Sequence, residues 1–230
     1  MATTQQYEPN MVLSKVDYDV IGTRPIRPDG ADKVTGRALY GADFQATGLL
    51  HGKALRSPHA HARIKSIDTS KAETLPGVRS VVTGADLPPS NGNTRLRRRR
   101  NNILAGDKVL YVGHAVAAVA ATSPHIAEEA ADLIEVDYEV LPCVLTAPDA
   151  MKDDAPLLHD YLKTMSLGEP TNKVSNIANY SQYKLGDIET GFADADLVVE
   201  GEYDSKTIHQ GYIEPHPCTA LWNQDGRITI

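Results

Sequence analysis

Three short stretches of this chain carry side chains able to do chemistry. In "SPHAHARI", His59, His61 and Arg63 fall on one face if the segment is extended, because side chains alternate along a strand. Such a face could meet an anion or substrate; the plainer reading is a strand edge or loop turned toward water or a neighbouring subunit. Two imidazoles without a third donor nearby do not make a zinc site. In "HQGYIEPH", Glu214 and His216 share a side of an extended segment, with His209 before them. Nitrogen and carboxylate donors suit zinc or iron. No further ligand set is visible, so the favoured reading is a strand entering a turn at Pro215 and Pro217. In "NTRLRRRRNN", five arginines stand between Arg95 and Arg100, interrupted by Leu96. A guanidinium run can hold phosphate groups, as in nucleic acid or a coenzyme A ester. It can also be a solvated loop, or an arm against an acidic subunit surface, and these are favoured here.

Other signatures are missing. "YVGHAVAAV" has a single glycine and no dinucleotide fingerprint, and the sequence has no nucleophile elbow and no Walker loop. Cys143 and Cys218 are far apart and lack metal-ligand spacing, which points to reduced thiols in a cytoplasmic protein. The formal charge of −7 and the absence of aromatics within the arginine run argue against nucleic acid. The polar N-terminus has no signal-peptide pattern, and no apolar stretch approaches the ~20 residues needed to span a bilayer.

The elements that would position these residues are mixed helices and strands. "SKAETLPG" predicts a short helix with Ser70 as N-cap. "VLYVGHAVAAVAA" predicts a strand buried on both faces. Ser123 and Pro124 open the clearest helix, with Ile126, Ala127, Ala130, Leu133 and Ile134 as its stripe. The period then switches to two at Val136, Tyr138 and Val140. Residues 143–182, rich in Pro, Asp, Ser and Asn, read as a linker carrying short pieces. Asp187 caps a short helix, "DLVVEGEYDSKTIHQ" predicts a long strand, and "CTALWNQDGRITI" predicts a hairpin whose second strand stops at Ile230. That unfinished edge leads us to expect a further chain or segment beside it.

The order of "RPDGADKVTGRALYGADF", "GLLHGKALRSPHAHARIKSIDTSKAETLPGVRSVVTGADLP", "DKVLYVGHAVAAVAATSPHIAEEAADLIEVDYEVLP" and "GDIETGFADADLVVEGEYDSKTIHQGYIEPHPCTALWNQDGRITI" resembles the N-terminal part of the large, molybdenum-binding subunit of the xanthine dehydrogenase / aldehyde oxidase family. The likeness implies an α/β (α+β) fold: an N-terminal arm at 1–19, an α/β-hammerhead domain at 20–142, a linker at 143–182 and the incomplete start of a molybdopterin-binding domain at 183–230. It also implies an oxidoreductase that hydroxylates an aldehyde, N-heterocycle or aromatic substrate with oxygen from water. A molybdenum–molybdopterin cofactor would do the chemistry, with 2Fe-2S clusters and FAD on partner subunits. The family's cofactor-side glutamine, Gly-rich loop and general-base glutamate have no match here. The resemblance therefore implies no catalytic, cofactor-binding or metal residue in this chain, and Glu214 does not take the base's role. His114-Ala115 stands where the family commonly has Glu-Pro or Gln-Pro. The chain is then scaffold and subunit interface of a split or truncated large subunit; the alternative is a free-standing, non-catalytic hammerhead module for binding or assembly.

Overall fold

The computed structural model describes residues 19–21, 23–213 and 216–230. They fall into two compact units: Ala46–Lys206, and the described residues up to Gln45 together with Thr207–Ile230. In the second of these, Asp29 binds both Arg27 and Lys33 around a one-turn helix, α1 (Gly30–Val34).

The larger unit starts with β1 (His51–Arg56) and β2 (Ala62–Asp68), separated by the Pro58 turn. The next helix, α2 (Ser70–Thr74), has Thr69 rather than Ser70 at its N-cap. The shift follows from Asp68, whose carboxylate accepts the Ser70 N–H at 3.0 Å, while the Thr69 hydroxyl donates to Glu73 at 2.6 Å. Gly77 then turns the chain with φ +98°, and an added Cβ there would meet Ile126 Cδ1 at 2.7 Å. Only glycine suits both demands.

The following elements are β3 (Val78–Thr83), α3 (Thr94–Ile103), β4 (Lys108–Val109), β5 (Ala115–Ala121), α4 (Pro124–Asp132) and β6 (Glu135–Val140). They build two antiparallel sheets, ordered β1-β5-β3 and β4-β2-β6. The Ser123 hydroxyl caps α4 by accepting the Ile126 N–H at 3.2 Å, and Pro124 occupies the first turn as predicted. Ala127, Ala130 and Ala131 of α4 pack with Ala117, Val119 and Ala121 of β5, Ala72 of α2 and Ile134. Small side chains here let helix and sheet approach closely. On the other face of β5, Val116 is buried with Ala62, Ala105 and Val109. The strand expected over 109–121 is broken by a turn at 110–114, where the His114 N–H donates to the Tyr111 carbonyl. Since Ala118 and Ala120 remain partly accessible, β5 is closed on one face and only half closed on the other. In β6, Val136 and Tyr138 pack inward as the alternation predicts, but Val140 is exposed at the strand end.

Residues 143–182, read from sequence as linker, hold regular structure. They contain α5 (Ala147–Ala150), β7 (Lys163–Ser166), β8 (Glu169–Val174) and β9 (Asn179–Tyr180), the strands forming a sheet ordered β8-β7-β9. Its interior is polar: Thr164 is buried, and its hydroxyl bonds Ser175 at 2.7 Å and the Ile177 carbonyl at 2.8 Å. Such a sheet leaves no hydrophobic period to read. The helix α6 (Ile188–Ala193) follows, with Asp187 accepting the Thr190 N–H at 3.1 Å as its cap.

The long strand expected over 196–210 is not formed. Leu197, Val199, Tyr203 and Ile208 are 79–93% exposed there, and a strand needs a paired neighbour to be one. The terminal hairpin is present: β10 (Leu221–Trp222) pairs antiparallel with β11 (Ile228–Thr229), closed by the Asn223 N–H donating to the Arg227 carbonyl at 2.8 Å.

Candidate functional site

The structure separates the residues of "SPHAHARI". β2 begins only at Ala62, so His59 and His61 lie in the preceding turn and do not share a strand face with Arg63. His61 is buried, and its Nδ1–H donates to the Pro142 carbonyl at 2.7 Å, tying the start of β2 to the end of β6. His59 packs edge-on against Tyr138, with ring centroids 5.0 Å apart. Arg63 is exposed and pairs across the sheet with Glu139 at 3.2 Å. These are framework contacts. In "HQGYIEPH", Glu214 lies outside the described residues. His209 Nδ1 accepts the Gly211 N–H at 3.0 Å, and the Tyr212 ring neighbours both His209 and His216. Among the described residues, no three His, Cys, Asp or Glu side chains converge as a metal site. Cys143 and Cys218 are both free and exposed.

The arginine run is helical, which corrects its reading as a solvated loop. Asn93 caps α3 by accepting the Leu96 N–H at 3.1 Å, and arginine is a good helix former. Arg97 and Arg100, three residues apart, face the protein. The Arg97 guanidinium lies 4.1 Å from the Tyr161 ring centroid and 3.8 Å from both Asp107 and Asp160. Arg100 donates to the Gly84 carbonyl at 2.7 Å. This anchor fixes a tight approach, since a Cβ on Gly84 would stand 2.3 Å from the Ala105 carbonyl oxygen. Beneath the helix, His159 stacks edge-on against Tyr161 at 5.7 Å. Burial, then the Lys108 and Arg98 cations, hold His159 below its ordinary pKa, and burial raises Tyr161.

His114 connects α3 to β5. It is fully buried. Its Nε2–H donates to the Asn101 carbonyl at 2.6 Å, near the C-terminal end of α3, while Nδ1 accepts the Leu110 N–H at 3.2 Å. Tyr111 stacks on the ring at 4.5 Å. Burial lowers the His114 pKa, which the Asn101 bond only partly opposes. The sequence marks this position only as a substitution for the family's usual Glu or Gln; the helix it supports could not be read from it.

Comparison with known proteins gives this frame a family. The a/b hammerhead domain of aldehyde oxidase and xanthine dehydrogenase matches residues 35–142, and the molybdopterin cofactor-binding domain matches residues 169–230. The chain belongs to the aldehyde oxidase and xanthine dehydrogenase family. It is 31% identical to the nicotinate dehydrogenase large molybdopterin subunit of Eubacterium barkeri, over 93% of this chain and 47% of that one. It is 38% identical to the carbon monoxide dehydrogenase large chain of Afipia carboxidovorans, over 85% of this chain and 25% of that one. Among solved structures, the Cu,Mo-CO dehydrogenase superposes with a TM-score of 0.60 at 35% identity, covering 76% of this chain and 23% of that one. The aldehyde oxidoreductase from Desulfovibrio gigas gives 0.52 at 38% identity, over 59% and 16%. The chain thus spans between about a quarter and a half of the length of these curated relatives.

A cavity of ≈ 570 Å³ lies beside β7 and β8, but its one cation, Lys173, is paired with Asp153 at 2.8 Å. In the stretch matched to the cofactor domain, the described residues from 179 onward are exposed except Asn223. No helix among the described residues is long and apolar enough to cross a membrane.

Proposed function

We propose that this chain is the N-terminal portion of the large subunit of a molybdenum hydroxylase-type oxidoreductase. The enzyme would oxidise an aldehyde, N-heterocycle or aromatic substrate with water as oxygen source. Its electrons would pass to 2Fe-2S clusters and FAD on partner subunits. The chain's own part is scaffold and subunit interface: an α/β-hammerhead domain spanning 20–142, leading into a molybdopterin-binding domain. Catalytic, cofactor-binding and metal residues lie outside it. The supporting observation is the succession of the two matched domains, hammerhead before cofactor domain, in the same chain. The exposed apolar side chains of 196–213 and of β10 and β11 support an interface role, because covering apolar surface with a partner is favourable. No catalytic step is assigned to the residues of this chain.

The test is affinity capture of the chain from its native cell, with mass spectrometry of the captured proteins and a metal assay. Recovery with a chain or segment carrying the rest of the cofactor domain, at about one molybdenum per complex, supports the reading. Recovery as a stable, lone, metal-free protein overturns it in favour of a hammerhead module for binding or assembly.

A further inference from the structure

We propose that the outward face of α3 is a docking surface for an acidic segment of another protein, one presenting several carboxylates beside aliphatic side chains. The inward face of the helix is accounted for: Arg97 is held by Tyr161, Asp107 and Asp160, Arg100 by Gly84, and the Asn101 carbonyl by His114. Arg95, Arg98 and Arg99 stand on the opposite side at i, i+3 and i+4, so their side chains form a single patch. All three are exposed, and among the described residues no carboxylate pairs with them. Like charges so spaced weaken a helix unless a counter-charge is supplied. The capped and doubly anchored frame holds them together all the same.

Two features choose the occupant. Leu96 and Ile103, on the same helix, are 44% and 61% exposed. A phosphate group or nucleic-acid backbone has no use for bare aliphatic surface, whereas a protein segment covers it. The mixture of arginine with apolar side chains is also the composition of protein interfaces. The chain carries a formal charge of −7, so the patch is a local cationic island that steers an acidic partner to one place. This inference does not depend on the molybdenum reading and is tested on the chain alone.

The probe is a fluorescent peptide of alternating Glu-Glu-Leu units, titrated by anisotropy at about 0.05 M salt, where exposed charges are only partly screened. Its rivals are inorganic tripolyphosphate and a single-stranded oligonucleotide of matching charge. The wild-type chain should bind the Glu-Leu peptide more tightly than either rival. The triple variant Arg95→Gln, Arg98→Gln, Arg99→Gln should lose roughly tenfold or more in affinity while keeping its circular dichroism and melting temperature. Leu96→Ser with Ile103→Ser, which leaves every charge in place, should also weaken the peptide. Three results each overturn the proposal: unchanged binding by the triple-Gln variant, tighter binding of tripolyphosphate or oligonucleotide, or salt-sensitive self-association that the triple-Gln variant abolishes. The last would make the occupant a second copy of this chain.

Discussion

The His114 imidazole has a partner for each nitrogen and room for one proton between them. A second proton, on Nδ1, would point at the Leu110 N–H. In the unfolded chain a histidine titrates near about 6.5, and folding holds His114 lower, chiefly by burial. The unfolded state therefore takes up the proton first as the solution is acidified. The stability held by neutral His114 is complete above about pH 6.5 and is lost as pH falls from there through the lowered folded value. Urea unfolding followed from pH 8 to pH 5 should show a falling midpoint, and His114→Gln should flatten that fall. A residual slope should persist, because His159 is depressed for the same main reason. An unchanged slope in His114→Gln would show that the titration lies elsewhere. At Gly84 the obstacle is backbone against backbone: a methyl group 2.3 Å from the Ala105 oxygen cannot rotate away. Gly84→Ala should cost about 1–3 kcal/mol or more in urea unfolding, by overpacking a site that also holds Arg100.

At the scale of elements, α4 was legible and α3 was not, and the difference is chemical. α4 shows a Ser-Pro opening, a stripe of alanine and isoleucine, and a switch to period two where β6 begins. α3 has no such stripe, because two of the positions that face the protein are arginines, satisfied by a ring, two carboxylates and a carbonyl. The cap is the one sequence signal that could have revealed it, and Asn93→Ala should cost about 1 kcal/mol, read as a lower urea midpoint. The polar sheet of β7, β8 and β9 escaped for the related reason that hydroxyls, not apolar side chains, fill its interior. Over 196–210 the pattern was strand-like and the strand is missing, since alternation states a preference that only a neighbouring strand can realise. In the histidine-rich stretches, the one-face placement of His59, His61 and Arg63 did not hold once β2 began at Ala62, and the strand read through His209 is not formed in the described residues.

For the whole molecule, the family was readable as long blocks in order, while no single short motif carried it. The exposed apolar side chains between Leu197 and Ile213 predict a chain of uneven protection. In hydrogen exchange, amides of 196–213 should exchange fast in the isolated chain and those of β5 and α4 slowly. Slow exchange throughout 196–213 without any partner would contradict the description of that segment as unpaired. The alanine packing between α4 and β5 has a consequence for how this protein can vary. Its contact surface has almost nothing to lose by truncation and no space to gain by growth. A saturation library scored for cellular abundance should therefore be lopsided at Ala117, Ala127 and Ala130. Glycine would score mildly, at about 1 kcal/mol, and Leu or Phe would be strongly depleted. Inheritance at this seam would run along a one-sided path, with lineages held to the smallest side chains where helix meets strand.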